Sequence, residues 1–221
     1  MKKTLALLDC DGTILKESLV LLHCGFLERN GVINTRGAYV AWESDMKNEH
    51  LITQCAMAYQ HALIGLTLEE MRVDEFIISE FIKNGAFQKE KFYSETLEII
   101  ANQDNECHVI TGTPSFLAEK LFQLISPMIE VHGSVYEYGT HGFTGIITVP
   151  MFSAETKQGT VDRILSKKNY DFNRHHIIGC GDTMSDLPLF EIADERILVE
   201  PTRDTLINYS KLGYTFNQII D

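Results

Sequence analysis

Two aspartates, Asp9 and Asp11, follow the apolar run Leu5-Ala6-Leu7-Leu8 and precede Gly12-Thr13. An unbroken apolar run of this kind reads as a strand of a parallel sheet, buried on both faces. Ligands of such sheets bind where the strands end, which is where both carboxylates fall. Two residues of spacing allow the side chains to leave an ideal strand on opposite faces, but Gly12 lets the chain turn sharply and bring both to one edge. There they can do nucleophilic and proton-transfer chemistry, or hold a metal. An Asp-rich turn that merely closes a strand uses the same residues.

Three further segments share the form. Cys107-His108-Val109-Ile110-Thr111-Gly112-Thr113-Pro114 is a short apolar strand ending in a hydroxyl and a glycine, with a helix expected from Ser115. Ordinary strand-to-helix turns use those residues too. Lys157, in Ser153-Ala154-Glu155-Thr156-Lys157-Gln158-Gly159, opens a helical stretch to about Lys168, where a lysine is commonly solvated. His176-Ile177-Ile178-Gly179-Cys180 is a strand ending in Gly181-Asp182, with Asp186-Leu187-Pro188 further on. Alone it also fits a helix N-terminus with acidic first-turn charge.

Taken in order, strand-Asp-x-Asp-Gly-Thr, strand-Thr-Gly, Lys and strand-Gly-Asp-x-x-x-Asp-Leu-Pro resemble the motifs of the haloacid dehalogenase superfamily of phosphohydrolases. More narrowly, the chain resembles the branch that includes phosphoserine phosphatase, whose helical cap lies between the first and second motifs. Gly139-Thr140-His141-Gly142-Phe143-Thr144-Gly145 is similar to that branch's Gly/Thr-rich hairpin. The resemblance covers essentially all of the chain. It implies an α/β fold, a Rossmann-like doubly wound parallel sheet formed by residues 1–14 and 86–221, with an inserted all-helical cap domain at 15–85.

A phosphate ester is a poor electrophile because its negative oxygens repel a nucleophile, so an enzyme must neutralise charge and align the attack. The resemblance implies the roles. Asp9 is the nucleophile that forms an aspartyl-phosphate, and Asp11 is the general acid and base. Thr111, the Gly112 amide, Lys157 and Ser185 bind the substrate phosphate, and Lys157 also steadies the nucleophile. Crowded carboxylates need a cation, and hard oxygens suit Mg²⁺. Its ligands are Asp9, Asp182 and the Asp11 carbonyl, with Asp186 acting indirectly or through water.

Departures from the pattern bear on the substrate. Ser185 stands where many phosphoserine phosphatases have an Asn. The serine-binding Glu of that branch falls at Ser18, with Glu17 one position off, and the cap Arg falls at Gln54. The expected function is therefore a Mg²⁺-dependent phosphomonoesterase for a small phosphorylated metabolite, with phosphoserine phosphatase proper as the alternative. Glu17, His23, Arg36 and Arg72 are candidate cap contacts. Other classes fit less well. A dehalogenase needs neither Asp11 nor a metal. A phospho-accepting receiver lacks so large a helical insert, and no missing motif residue points to a silent binding module.

With 221 residues and 44% hydrophobic content, the chain can bury one large domain or a core and a smaller lobe. Its formal charge of −12 opposes nucleic acid and anionic membrane as partners. Five cysteines without Cys-x-x-Cys spacing suit a reduced, cytoplasmic protein. A zinc site from Cys107, His108 and Cys180, on strands expected to be neighbours, is less economical than burial of those side chains in the core. The apolar run before Asp9 is too short for a signal peptide, and no stretch is long enough to span a bilayer. The sequence carries no signal for oligomeric state.

The elements that must position these residues follow from periodicity and punctuation. From Leu15 to Gly85 the pattern is helical, with one helix ending at Asn30-Gly31, another before Gly65, and a third starting at the capping box Thr67-Leu68-Glu69-Glu70 and stopping at Asn84-Gly85. Met46, Met57, Tyr59 and Met71 read as core filling. Beyond it, helices at 94–101, 115–125, 157–167, 186–192 and from Asp204 alternate with strands at 107–111, 129–132, 176–180 and 196–199, and an antiparallel excursion spans 134–149. Such alternation specifies a parallel sheet with helices on both faces.

Overall fold

The computed structural model describes residues 3–45, 49–171 and 175–220. The chain forms two compact units, one of Met1–Lys16, Lys89–Ser134 and Pro150–Asp221, the other of Glu17–Gln88 and Val135–Val149.

The first unit is built on parallel strands in the order β5 (Glu130–Gly139), β4 (Asn105–Pro114), β1 (Lys3–Leu8), β7 (His175–Gly181), β8 (Glu195–Val199) and β9 (Gln218–Ile220). The central strand β1 is apolar without alternation because both of its faces are covered. Leu5 and Leu7 join Ile110, Ile177 and the helix residues Val161, Ile164 and Leu189 in one core, while Ala6 and Leu8, also fully buried, face the other way. The helices of this unit are α5 (Ser94–Ala101), α6 (Ser115–Ile125), α7 (Ala154–Lys168), α8 (Leu187–Glu191) and α9 (Arg203–Lys211). β1 pairs β4 on one side and β7 on the other, so the order of connection reverses at β1. That reversal opens a crevice at the carboxyl ends of these strands. This is the expected Rossmann-like sheet, extended by β9, which is too short to have left a sequence signature.

The second unit holds α1 (Leu19–Arg29), α2 (Ala38–Ser44), α3 (Glu49–Ala62) and α4 (Val73–Phe81). It also contains the antiparallel hairpin formed by the second half of β5 with β6 (Gly142–Val149). That hairpin lies outside the lobe expected at 15–85. It joins the helices because Gly65 N donates to Phe143 O at 2.8 Å, Phe143 N to Leu66 O at 3.0 Å and Gln60 Nε2 to Gly145 O at 2.9 Å.

Two expected boundaries shift here. The Thr67–Glu70 capping box forms, with Thr67 N donating to Glu70 Oε2 at 2.8 Å and Glu70 N to Thr67 Oγ1 at 3.2 Å. It closes only a turn, because Arg72 is left-handed at φ 48, so the helix begins at Val73. Asn84-Gly85, read as a helix stop, makes the turn between β2 (Ile82–Lys83) and β3 (Ala86–Phe87), both residues having positive φ. Tyr59 and Met71 are buried as expected, Met57 is exposed, and Met46 lies outside the described residues. Among the described residues, no helix is long and apolar enough to cross a membrane.

Candidate active site

Asp9 is the first residue after β1 and is held at the strand end by its own amide, which donates to Cys180 O on β7 at 3.0 Å. The chain then turns back on itself: Thr13, Ile14 and Leu15 amides all donate to Cys10 O, and Gly12 N donates to Leu15 O at 2.8 Å. Gly12 is required twice. Its φ is +75, and a Cβ there would strike the Asp182 carboxylate. This turn puts Asp11 against β4, where Thr113 Oγ1 donates to Asp11 Oδ2 at 2.6 Å. Thr111, two residues before Thr113 and fully buried, accepts from the Thr113 amide at 3.1 Å, which leaves its hydroxyl proton for another acceptor.

Lys157 does not open its helix, nor is it solvated. The helix α7 begins at Ala154 under a capping box in which Ser153 Oγ accepts from Thr156 N at 3.3 Å, so Lys157 lies one turn in. Its side chain is 2% exposed, and its ammonium sits 2.9 Å from Asp9 Oδ1 and 2.6 Å from Asp186 Oδ1. The other oxygen of Asp186 accepts from the amides of Asp182 and Thr183 at 3.1 and 3.0 Å, and from Thr183 Oγ1 at 3.2 Å. Asp186 thus caps the turn after β7 while gripping the lysine. Gly181 makes this possible, since any Cβ there would overlap the Asp186 side chain. Asp182, from the same turn, is met by Thr13 Oγ1 at 3.4 Å.

One ammonium therefore faces three carboxylates. Burial pushes Asp9 up to about 7; the ammonium of Lys157 pulls against this, and Asp186 and Asp11 add to it. Burial likewise holds Asp182 well above the carboxylate range, reinforced by Asp186 and Asp9. For Lys157, burial works against the charge, but Asp186 and Asp9 outweigh it and hold the ammonium above its usual range. The excess of negative charge calls for a further cation. Ligand atoms of Asp9, Asp182 and Asp186 lie within 4.8 Å of one another, and Asp9 Oδ1, buried, accepts no well-directed hydrogen bond. The donor set is oxygen only, which fits a hard divalent ion. Both oxygens of Asp186 are already engaged, so Asp9 and Asp182 are the better direct ligands.

The other expected residues are less convergent. Ser185 Oγ lies 2.9 Å from Thr183 Oγ1. The Gly112 position is bounded by Phe152, whose ring carbon a Cβ would meet at 3.1 Å. Cys107 and Cys180 are separated by β1, whose Ala6 and Leu8 are their respective partners, so a zinc grouping with His108, the less economical reading, does not form and these side chains are buried as expected. In the helical unit, His23 is fully buried, its ring nitrogens 2.8 Å from Tyr59 Oη and from Met71 O, which makes it a core residue and not a ligand contact. Arg72 pairs with Glu75, and Gln54 Nε2 lies 2.8 Å from His50 Nε2. Sequence reasoning missed Thr113 and Thr183. Strand alternation from Thr111 could have found the first, and the Thr-x-x-Asp capping spacing the second.

Among solved structures, a protein of unknown function from Bordetella pertussis Tohama I superposes with a TM-score of 0.74 at 19% identity, covering 100% of this chain and 99% of the other. A phosphoserine phosphatase in apo form gives 0.61 at 12% identity, over 100% and 94%. Cytosolic 5'-nucleotidase IIIB, bound to cytidine, gives 0.60 at 14% identity, over 99% and 80%. At these identities the likeness is one of fold. No curated protein matches the sequence. The family model for haloacid dehalogenase-like hydrolases matches residues 6–191, a span that contains all of the acidic cluster, Lys157 and both threonines of β4, and the chain belongs to that family.

Proposed function

We propose that the protein is a Mg²⁺-dependent phosphomonoesterase that hydrolyses a small phosphorylated metabolite through a phosphorylated Asp9. The observation that carries this reading is the buried Lys157 ammonium clamped between Asp9 and Asp186, at 2.9 and 2.6 Å, beside an Asp11 carboxyl held separately by Thr113. The site thus contains a nucleophile fixed by a cation and a second carboxyl kept apart for proton transfer.

In the first step an Asp9 carboxylate oxygen attacks phosphorus and the bond to the leaving oxygen breaks, while Asp11 gives that oxygen its proton. In the second step Asp11 takes a proton from water as the water oxygen attacks phosphorus, which frees Asp9 and inorganic phosphate. Lys157, Thr111 and the Gly112 amide donate to the phosphoryl oxygens. Ser185 joins them only if its hydroxyl leaves Thr183. Asp9, Asp182 and the Asp11 carbonyl would hold Mg²⁺, which supplies charge neutralisation for the phosphoryl group. Asp186 acts by orienting Lys157 and the Asp182 turn.

The test is turnover of aryl phosphates and of a panel of phosphorylated metabolites. Activity is expected to vanish with a chelator, to return with Mg²⁺ and to return poorly with Ca²⁺, whose longer and looser coordination spoils in-line geometry. Asp9→Asn should abolish turnover with the fold retained. Full turnover by Asp9→Asn, or by a verified metal-free sample, would sink the proposal.

A further inference from the structure

Among the described residues, a second group of side chains brings metal-ligating atoms within 4.8 Å of one another: His108, Glu130 and His132. They come from the neighbouring strands β4 and β5, where His108 stands opposite Glu130 and Ile110 opposite His132. His108 precedes Thr111 by three residues, about 10 Å along the strand, so this cluster is distinct from the aspartate site. His108 Nδ1 lies 3.1 Å from His132 Nε2 and 3.9 Å from Glu130 Oε2. Two imidazoles and a carboxylate are a donor set suited to a borderline-soft ion and not to Mg²⁺.

An independent feature points the same way. The far nitrogen of His108, Nε2, lies 3.4 Å from Glu106 Oε1, and Glu106 is itself fixed by Lys3 at 2.6 Å. A carboxylate behind a histidine is how metal-binding imidazoles are oriented: it holds the proton on the outer nitrogen and leaves the inner lone pair for a ligand. With that tautomer, His108 Nδ1 is an acceptor and His132 Nε2 donates to it. Ligation by His132 Nε2 requires its proton to move to Nδ1 or to be released. His108 is 1% exposed, whereas Glu130 is 41% exposed and gives an entry route. The neighbouring cations leave room, because Arg163 is turned to Thr160 Oγ1 at 2.8 Å and Lys167, 3.9 Å from Glu130, is 71% exposed.

We propose that His108, His132 and Glu130 form a Zn²⁺ site, with Glu106 positioning His108. The ion would cross-link β4 to β5 beside the segment that carries Thr111 and Thr113, with its fourth position open to water. This inference is independent of the proposed phosphatase activity.

The test uses calorimetric Zn²⁺ titration of the full chain with Mg²⁺ in excess, together with Co²⁺ as a spectroscopic probe. One tightly bound ion per chain is expected, with a Co²⁺ spectrum of low-coordinate type and a higher melting temperature with Zn²⁺. Glu130→Gln and His132→Gln should abolish tight binding, Glu106→Gln should weaken it by about 10- to 100-fold, and Asp182→Asn should leave it intact. Melting temperatures without zinc check that each variant folds; Glu130, being half-exposed, carries the test if His132→Gln does not. No stoichiometric binding, or binding lost in Asp182→Asn but kept in Glu130→Gln, would overturn the proposal.

Discussion

Replacing Lys157 with Met tests the electrostatic architecture of the site directly. The side chain is of similar length, so the change removes the charge and little volume. At 2.9 Å from Asp9 and 2.6 Å from Asp186, each attraction is about 6 kcal/mol at an effective dielectric constant of about 20. Most of that is offset by the cost of burying the ions, but the variant retains the buried carboxylates without their counter-charge. Breaking such a pair costs about 3–5 kcal/mol. At this chain length that lowers the melting temperature by roughly 6–20 °C. The sign of the pH dependence is fixed. Asp9 already has a folded-state value of about 7, above the unfolded 3.8, so the folded form takes up protons first and gains stability as pH falls through that window. Without the ammonium, which pulls Asp9 down, its value rises further, so the variant's deficit is largest above that raised value, shrinks as pH falls from there to about 7 and levels off below. Mg²⁺ should stabilise the variant more than the parent, since a competing positive charge is gone. Urea unfolding across pH, with chelator and with Mg²⁺, measures all of this, and kcat should fall by at least about 10²–10³-fold. A variant as stable as the parent at pH 8, or within tenfold of its kcat, would refute the clamp.

Thr113→Val removes the donor 2.6 Å from Asp11 Oδ2, a hydrogen bond to a charged group worth about 1.5–3 kcal/mol, so kcat should fall by roughly 10- to 150-fold with KM little changed and with rescue by Thr113→Ser; an unchanged kcat excludes a positioning role. His23, lowered by burial to about 4 from 6.5, makes folding stability decline as pH falls between those values, by about 3 kcal/mol in total; urea unfolding of His23→Gln should lack that slope, and a His23 ring titrating near 6.5 by NMR would contradict it. Phosphoserine should be a poor substrate, because Ser18 and Gln54 stand at the positions expected to pair its ammonium and carboxylate, a loss of several kcal/mol in discrimination; kcat/KM across phosphomonoesters decides, and a clear preference for phosphoserine would show the reasoning wrong.

What could be read from the sequence and what could not divide along a physical line. Asp9, Asp11, Asp182 and Asp186 were legible because each follows a short apolar strand, and parallel-sheet topology leaves such positions only one edge to occupy. Lys157 was legible only through resemblance: on its own helix it is one of several polar residues, and its burial depends on Asp9 and Asp186, which arrive from strands far away in the chain. Thr113 and Glu106 were not singled out, because their importance is set by partners that sequence spacing does not encode, Asp11 in one case and His108 in the other. Within the helical lobe, which forms where expected, a helix start shifted for a related reason. Thr67–Glu70 has the local chemistry of a helix start and makes its hydrogen bonds, yet the chain turns left-handed at Arg72 before the helix forms. Local rules thus place strand ends and caps, and long-range pairing decides which polar groups become chemistry. The paired histidines illustrate the consequence. His108 and His132 are 24 residues apart and lie in segments that differ in character, so only the register of β4 with β5 brings their nitrogens to 3.1 Å. A site made by strand register leaves no motif, so any function it has is found from the fold outward.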